Sequence, residues 1–197
     1  MKTRINSIFQ LKITLRDSGP PIWRRVQVKE DMTLAQLHRV VQSVFGWENY
    51  HLHEFTIEGR TYGIPDPEFD DDRTVYDERD LRLKKVLPQV GFAFEYLYDF
   101  GDCWYHDLLL ETILSPDPEV DYPVCIAGER SGPPEDVGGI SGYFEYLAAI
   151  GDLRHPEHEA MIEWRGPFDS EEFSLGLVNL LLRKHFRSRK QRTVSAS

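Results

Sequence analysis

Three stretches of the chain gather residue types that hold ions, orient water or exchange protons. The first is Trp47-Glu48-Asn49-Tyr50-His51-Leu52-His53-Glu54-Phe55. Residues two apart on a strand share a face, so His51 and His53 are expected side by side, within reach of one metal ion or one phosphate. The same H-x-H spacing also suits two hydrogen-bonded strand residues beside a core-facing Phe55. The second stretch, Tyr98-Asp99-Phe100-Gly101-Asp102-Cys103-Trp104-Tyr105-His106-Asp107, puts carboxylates, a thiol and an imidazole around one tight turn. A general base needs a partner that fixes its tautomer, and Asp99 or Asp102 is placed to do that for His106. Asp and Gly also supply the backbone angles of a tight turn with no chemistry attached. The kinase-like string Asp99-Phe100-Gly101 has no Gly-rich nucleotide loop, strand lysine or catalytic-loop signature with it.

The third stretch runs from Cys125 to Gly139 and includes Glu129, Arg130, Glu135 and Asp136. Gly138, Gly139 and Gly142 precede a helix, whose N-terminus can cradle an anion. Their spacing matches neither a P-loop nor a dinucleotide fingerprint. Cys125 would need a nearby base such as His106 to act as a nucleophile. A fourth group, His155, His158 and Glu159, lacks the H-E-x-x-H spacing of a zinc protease and reads as a solvated helix start. The acidic run from Asp66 to Glu78 lacks the ligand spacing and central glycine of an EF-hand loop.

These groups need elements to hold them. Ile8, Leu11, Ile13 and Leu15 interleave with Gln10, Lys12 and Thr14, the pattern of a strand with one wet face. After the turn cluster Asp17-Ser18-Gly19-Pro20-Pro21, Ile22, Val26 and Val28 share a face of a second strand, with Trp23 on the other. Thr33 starts a helix, with Gln36 at capping-box spacing. Leu34, Leu37, Val40, Val41, Val44 and Phe45 keep helical period, and Gly46 stands where a left-handed cap is wanted. Leu52–Ile57 and Arg60–Tyr62 form a strand pair, and Leu81–Leu87 a short helix stopped by Pro88. Phe92–Tyr98 and Trp104–Ile113 make a second hairpin. Residues 115–140 read as a long Pro/Gly-rich loop. Helices follow at about 141–151, behind Ser141, at about 156–165, with Pro156 in the first position, and at about 170–184, behind Asp169 with Glu172 three on.

The fold class is therefore α+β. A mixed sheet begins in the β-grasp-like order strand, strand, helix, strand, gains a second long hairpin, and is followed by C-terminal helices. Residues 1–182 are expected to form a single domain, its helical part at about 141–184, and residues 183–197 a basic disordered tail.

Charge and composition narrow the function. Of 23 Lys/Arg, six lie in residues 183–192, leaving 17 against all 33 Asp/Glu and a body of net charge about −16. Such a body repels a phosphate backbone, so only the tail is suited to nucleic acid. Two cysteines, Cys103 and Cys125, make no disulfide framework. No apolar run reaches the ~20 residues of a membrane span, and no apolar segment follows Met1-Lys2-Thr3-Arg4 as in a signal peptide. A cytoplasmic protein with no membrane contact is expected.

The segments Gln10–Ile13, Pro21–Val26, Trp47-Glu48-Asn49…His51-Leu52-His53-Glu54-Phe55, Tyr98-Asp99-Phe100-Gly101-Asp102…Trp104…His106 and Cys125…Ala127-Gly128-Glu129-Arg130…Pro133-Pro134-Glu135-Asp136…Gly138-Gly139…Gly142-Tyr143 occur in this order. Together they resemble the plasmid ORF-3-like family, named for an open reading frame of a bacterial root-inducing plasmid, from about residue 7 to about 180. The resemblance implies an α+β fold and carries no established molecular function; some members are described as resolvase-like or repressor-like. It also implies cysteines, in many members, at the positions held here by Gly132 and Val137. With Cys125 and a histidine these would make a zinc site. This chain keeps only Cys125, so no cofactor is expected, and zinc or another divalent metal would have to recruit His51, His53 or His106.

The expected function is a non-catalytic binding or interaction module of a bacterial plasmid or mobile-element-associated protein. Its ligand-binding candidates are Trp47, Trp104, Cys125, Glu129, Arg130, Glu135 and Asp136, with an unknown protein or nucleic-acid partner engaged through the basic tail. The alternative is a hydrolase or nuclease built from His51, His53, Asp99, Asp102 and His106. A third reading makes the motifs purely architectural.

Overall fold

Alternating apolar residues build the two N-terminal strands, β1 (Ile8–Leu15) and β2 (Trp23–Lys29), which pair antiparallel in this computed structural model, where residues 6–65 and 74–186 are described. Helix α1 (Leu34–Phe45) follows. The Thr33 side chain accepts from the Gln36 N–H while the Gln36 side chain accepts from the Thr33 N–H, and Gly46 closes the helix at φ 82°. Next come β3 (His53–Ile57), β4 (Arg60–Gly63), β5 (Val75–Asp77) and the single turn α2 (Leu83–Val86). The second hairpin is β6 (Ala93–Tyr98) and β7 (Trp104–Leu114). The chain continues through β8 (Val124–Glu129), α3 (Gly139–Gly151), α4 (His158–Arg165) and α5 (Leu175–Phe186).

Among the described residues, eight strands lie in one sheet, ordered β5-β4-β3-β6-β7-β1-β2-β8, and only the β4–β5 pair is parallel. The opening order strand, strand, helix, strand is present, and the hairpin β6–β7 sits between β1 and β3. One face of the sheet is buried. Leu34, Leu37, Val40, Val41 and Val44 of α1 meet Leu11, Ile13, Val26, Phe55, Tyr96 and Leu108 in a single apolar cluster. Each fully buried Leu or Val contributes roughly 1.5–3 kcal/mol, so this helix face is a main source of the fold's stability. Val178 and Leu182 of α5 join the same cluster, and Ser43 Oγ meets His185 Nδ1 at 2.7 Å. The opposite face is wet. Gln27 donates to Gln10 (3.0 Å), Gln10 to Glu111 (3.0 Å), and Arg25 to both Glu111 oxygens (2.6 and 2.8 Å).

Several expectations need correction. Residues 115–140 are not all loop, because Val124–Glu129 adds β8 beside β2. Helix α3 starts behind Gly138, ahead of Ser141. Asp169 does not cap α5: its carboxylate accepts from the Glu171 N–H in a local turn, and Ser174 Oγ accepts from Leu177 N (3.3 Å) where the helix begins. Arg183 and Lys184 are not in a disordered tail, since α5 runs on to Phe186. The remaining tail, 187–197, and most of the acidic run, 66–73, lie outside the described residues. Among the described residues no helix is long and apolar enough to cross a membrane.

Candidate functional site

Three loops meet beyond the C-terminal end of α1 and the turn joining β6 to β7. The first, 46–52, follows Gly46. Trp47 folds inward, donates its indole N–H to Pro133 O (2.9 Å), and stacks on Tyr98 and Phe45 (centroids 5.1 and 5.3 Å). Asn49 adopts φ 62°, and the Tyr50 N–H donates to the Tyr98 hydroxyl (3.0 Å). The second loop is the hairpin turn. Asp99 sits at φ 58°, takes the Gly101 N–H on Oδ1 (2.9 Å), and donates its own N–H to Leu52 O (2.9 Å).

The third loop, 130–138, clamps the other two. Glu135 accepts from the Glu48 N–H (2.8 Å) with one oxygen and from the Tyr98 hydroxyl with the other. Burial and that carboxylate both push the Tyr98 phenol up, so it stays a donor. Asp102 accepts from the Gly138 N–H (3.1 Å). Two glycines allow the close approach: a Cβ at Gly132 would lie 2.2 Å from Phe45 O, and one at Gly139 2.4 Å from Asp102 O.

At the crossing, His51 Nε2 lies 3.0 Å from Asp136 Oδ1 and 3.6 Å from Asp99 Oδ2. One ligand atom from each of the three residues falls within 4.8 Å of the others. The Nε2 atom is shielded from solvent and makes no aligned hydrogen bond, so its proximity to Asp136 is not an N–H···O contact. Asp99 is buried, whereas Asp136 is largely exposed. Tyr50, Leu52 and Phe100, exposed by 70, 58 and 42 %, belong to the same two loops.

The five residues proposed for a hydrolytic cluster do not converge. His51 and His53 do not share a strand face, because β3 begins at His53 and the left-handed Asn49 leaves His51 in the loop. His53 points into the core. Its Nε2 meets both oxygens of buried Glu78 (2.9 and 3.0 Å), and its ring stacks on His38 at 3.4 Å. His38 in turn contacts the Tyr96 hydroxyl and Asn49 Oδ1, each at 2.7 Å, and burial pushes it down to about 3. His106 lies on the same sheet face as His53, with the Tyr96 ring between them (centroids 5.5 and 6.0 Å). Its Nδ1 meets Trp104 O (2.9 Å), and burial pushes it down to about 3. A fully buried, neutral imidazole with no carboxylate on it is no general base for a solvent-borne substrate.

The ligand-binding candidates also divide. Trp47, Glu135 and Asp136 stand at the crossing. Trp104 is wholly in the core. Cys125 is buried, donates to Ala127 O (3.4 Å), and has its thiol pushed up by burial, which opposes thiolate formation. Arg130 ties its loop to Pro21 O (2.9 Å), Glu129 (3.1 Å) and Glu171 (3.2 Å), a bracing role. His158, at the start of α4, is half-buried and meets Ala149 O of α3 (2.9 Å).

Sequence reasoning missed Arg24. It is 2 % exposed and donates to Val44 O (2.7 Å), Trp23 O and Glu129 O (both 2.8 Å) and Arg130 O (2.6 Å), between the rings of Phe45 and Phe173. Burial pushes it down to about 10. Its even-numbered position, in phase with Ile22, Val26 and Val28, was the available signal. Arg24 fastens the end of α1 to the start of the third loop.

Two proteins are similar to this chain, one by sequence and one by structure. The uncharacterized protein y4hQ of Sinorhizobium fredii is 37 % identical over 177 residues, 89 % of this chain and 90 % of that protein. The crystal structure of MM3350, a protein of unknown function from Methanosarcina mazei Go1, superposes with a TM-score of 0.78 at 36 % identity, over 86 % of this chain and 96 % of its own. Neither relative has an assigned activity. The family model described as plasmid pRiA4b ORF-3-like protein matches residues 7–176, and the chain belongs to that family.

Proposed function

We propose that this chain is a non-catalytic binding module whose recognition site is the loop crossing around His51, and that the site takes a cationic ligand. One observation carries this: three segments far apart in sequence bring His51, Asp99 and Asp136 together at the surface. Among the described residues, His51 is the only group able to carry positive charge that pairs with these two carboxylates. Glu48, Asp102 and Glu135 add negative charge to the same three loops. The exposed Tyr50, Leu52 and Phe100 supply apolar surface beside that charge, the composition of a small recognition patch. The acidic body disfavours a phosphate backbone as the ligand. The two free cysteines, one exposed, fit a reducing cytoplasm.

Fluorescence anisotropy with a short Lys/Arg-rich peptide, a Glu-rich peptide of equal length and a short DNA duplex tests this. The basic peptide should bind, and the double variant Tyr50→Ala/Asp136→Asn should weaken it by about tenfold or more. Removal of residues 187–197 should leave that binding intact. A duplex that binds more tightly than the basic peptide would overturn the proposal. So would a phosphodiesterase or esterase turnover abolished by Asp136→Asn.

A further inference from the structure

We infer that His51, Asp99 and Asp136 form a site for a divalent transition-metal ion of the zinc or manganese class. The inference rests on the loop crossing being a cation-binding site, and it names the cation. One nitrogen and two oxygens bonded to a tetrahedral ion at about 2.1 Å would stand roughly 3.4 Å apart. The His51 nitrogen lies 3.0 and 3.6 Å from its two oxygen neighbours. The two His51 edges need shifts of a few tenths of an ångström, and the edge between the two carboxylates, which lies within 4.8 Å, closes by at most about 1.4 Å.

The unaligned His51 nitrogen points the same way. If protonated His51 merely paired with Asp136, its N–H should lie along the line to Oδ1, and it does not. Asp99 Oδ2, at 3.6 Å, is beyond hydrogen-bond distance, so the buried Nε2 has two carboxylate oxygens beside it and a hydrogen bond to neither. An ion between the three atoms would satisfy it. The surroundings hold the ligands in place. Asp99 has Oδ1 tied to the Gly101 N–H, which leaves Oδ2 for the ion, and the His51 ring lies edge-on to Tyr98 at 5.8 Å. Imidazole with carboxylates selects zinc, manganese or ferrous iron over soft cuprous copper.

The other histidine groups do not compete. His53 is already saturated by Glu78 and stacked on His38, and both are sealed in the core. Among the described residues, His51, Asp99 and Asp136 are the one group of three such side chains with ligand spacing. Three protein ligands leave coordination positions open. Asp136 is exposed, so water or a donor group of a partner can reach the ion from the Asp136 side, while the His51 nitrogen and Asp99 are shielded.

Isothermal titration of the full chain with zinc chloride and with manganese chloride, after treatment with chelator, tests the inference. Wild type should bind one ion per chain. Asp136→Asn, at an exposed position where folding is safe, should weaken binding by about tenfold or more, and His51→Ala further. His155→Ala should bind as wild type does. Cobalt in place of zinc should give a visible absorption band that Asp136→Asn shifts or abolishes. No binding by wild type, or equal binding by wild type and Asp136→Asn, overturns the inference. Site-dependent binding of the Lys/Arg-rich peptide in the presence of chelator, with no metal binding, would overturn the metal alone and leave the cationic site standing.

Discussion

Acid should unfold this protein through two histidines that face no solvent. His38 and His106 are both pushed down to about 3, mainly by burial. In the unfolded chain each returns to about 6.5. Between those values the unfolded state binds a proton that the folded state refuses, so each histidine lowers stability as pH falls from about 6.5 towards 3. The slope is about 1.4 kcal/mol per pH unit for each group. From pH 7 to pH 5 the loss is about 2 kcal/mol for each, or about 4 kcal/mol for both. His106→Phe removes one titration while keeping a ring against Phe45 and Trp47, which His106 meets edge-on at 4.7 and 5.4 Å. The variant loses the contact with Trp104 O and should be less stable at pH 7. Its deficit relative to wild type should shrink, or reverse, by about 2 kcal/mol at pH 5. Urea unfolding followed by tryptophan fluorescence at both pH values measures this. A difference between wild type and variant that does not change with pH would refute the reasoning, as would an NMR titration placing His106 near 6.5.

Three further outcomes follow from the packing. Gly132→Ala puts a Cβ against Phe45 O and should cost about 3 kcal/mol in urea unfolding, because the atoms it meets are backbone and cannot swing aside. Arg24→Met frees four carbonyls that now share one guanidinium and should cost about 3 kcal/mol or more, whereas Arg25→Ala on the wet face should cost less than about 1 kcal/mol. Thr33→Ala removes the N-cap of α1 and should lower stability by about 1 kcal/mol, with the loss read from thermal unfolding by circular dichroism.

Local rules read best where structure is local. Thr33, Gln36 and Gly46 mark both ends of α1, and the turn Asp99–Cys103 marks the second hairpin, because caps and turns are decided within a few residues. Strand β8 was not legible. Val124–Glu129 is flanked by Pro123 and by the Gly/Pro-rich run from Ser131, and only its pairing with β2 makes it a strand. The site was half legible. The three motifs contained its residues, but spacing alone paired His51 with His53 and gave His106 an aspartate. A left-handed Asn49 separates the first pair, and burial removes His106 from the surface. Asp136 reaches His51 only because Gly132 and Gly139 let the third loop press on Phe45 and Asp102, a contact between distant segments that no local period encodes.

The most direct test of the loop crossing as a metal site is a histidine-ring proton–nitrogen correlation spectrum, recorded as zinc is added to the full chain. The His51 ring nitrogens should shift and saturate at one ion per chain, while the buried His38, His53 and His106 rings stay where they were. An unmoved His51, or saturation at a different histidine, would contradict the account.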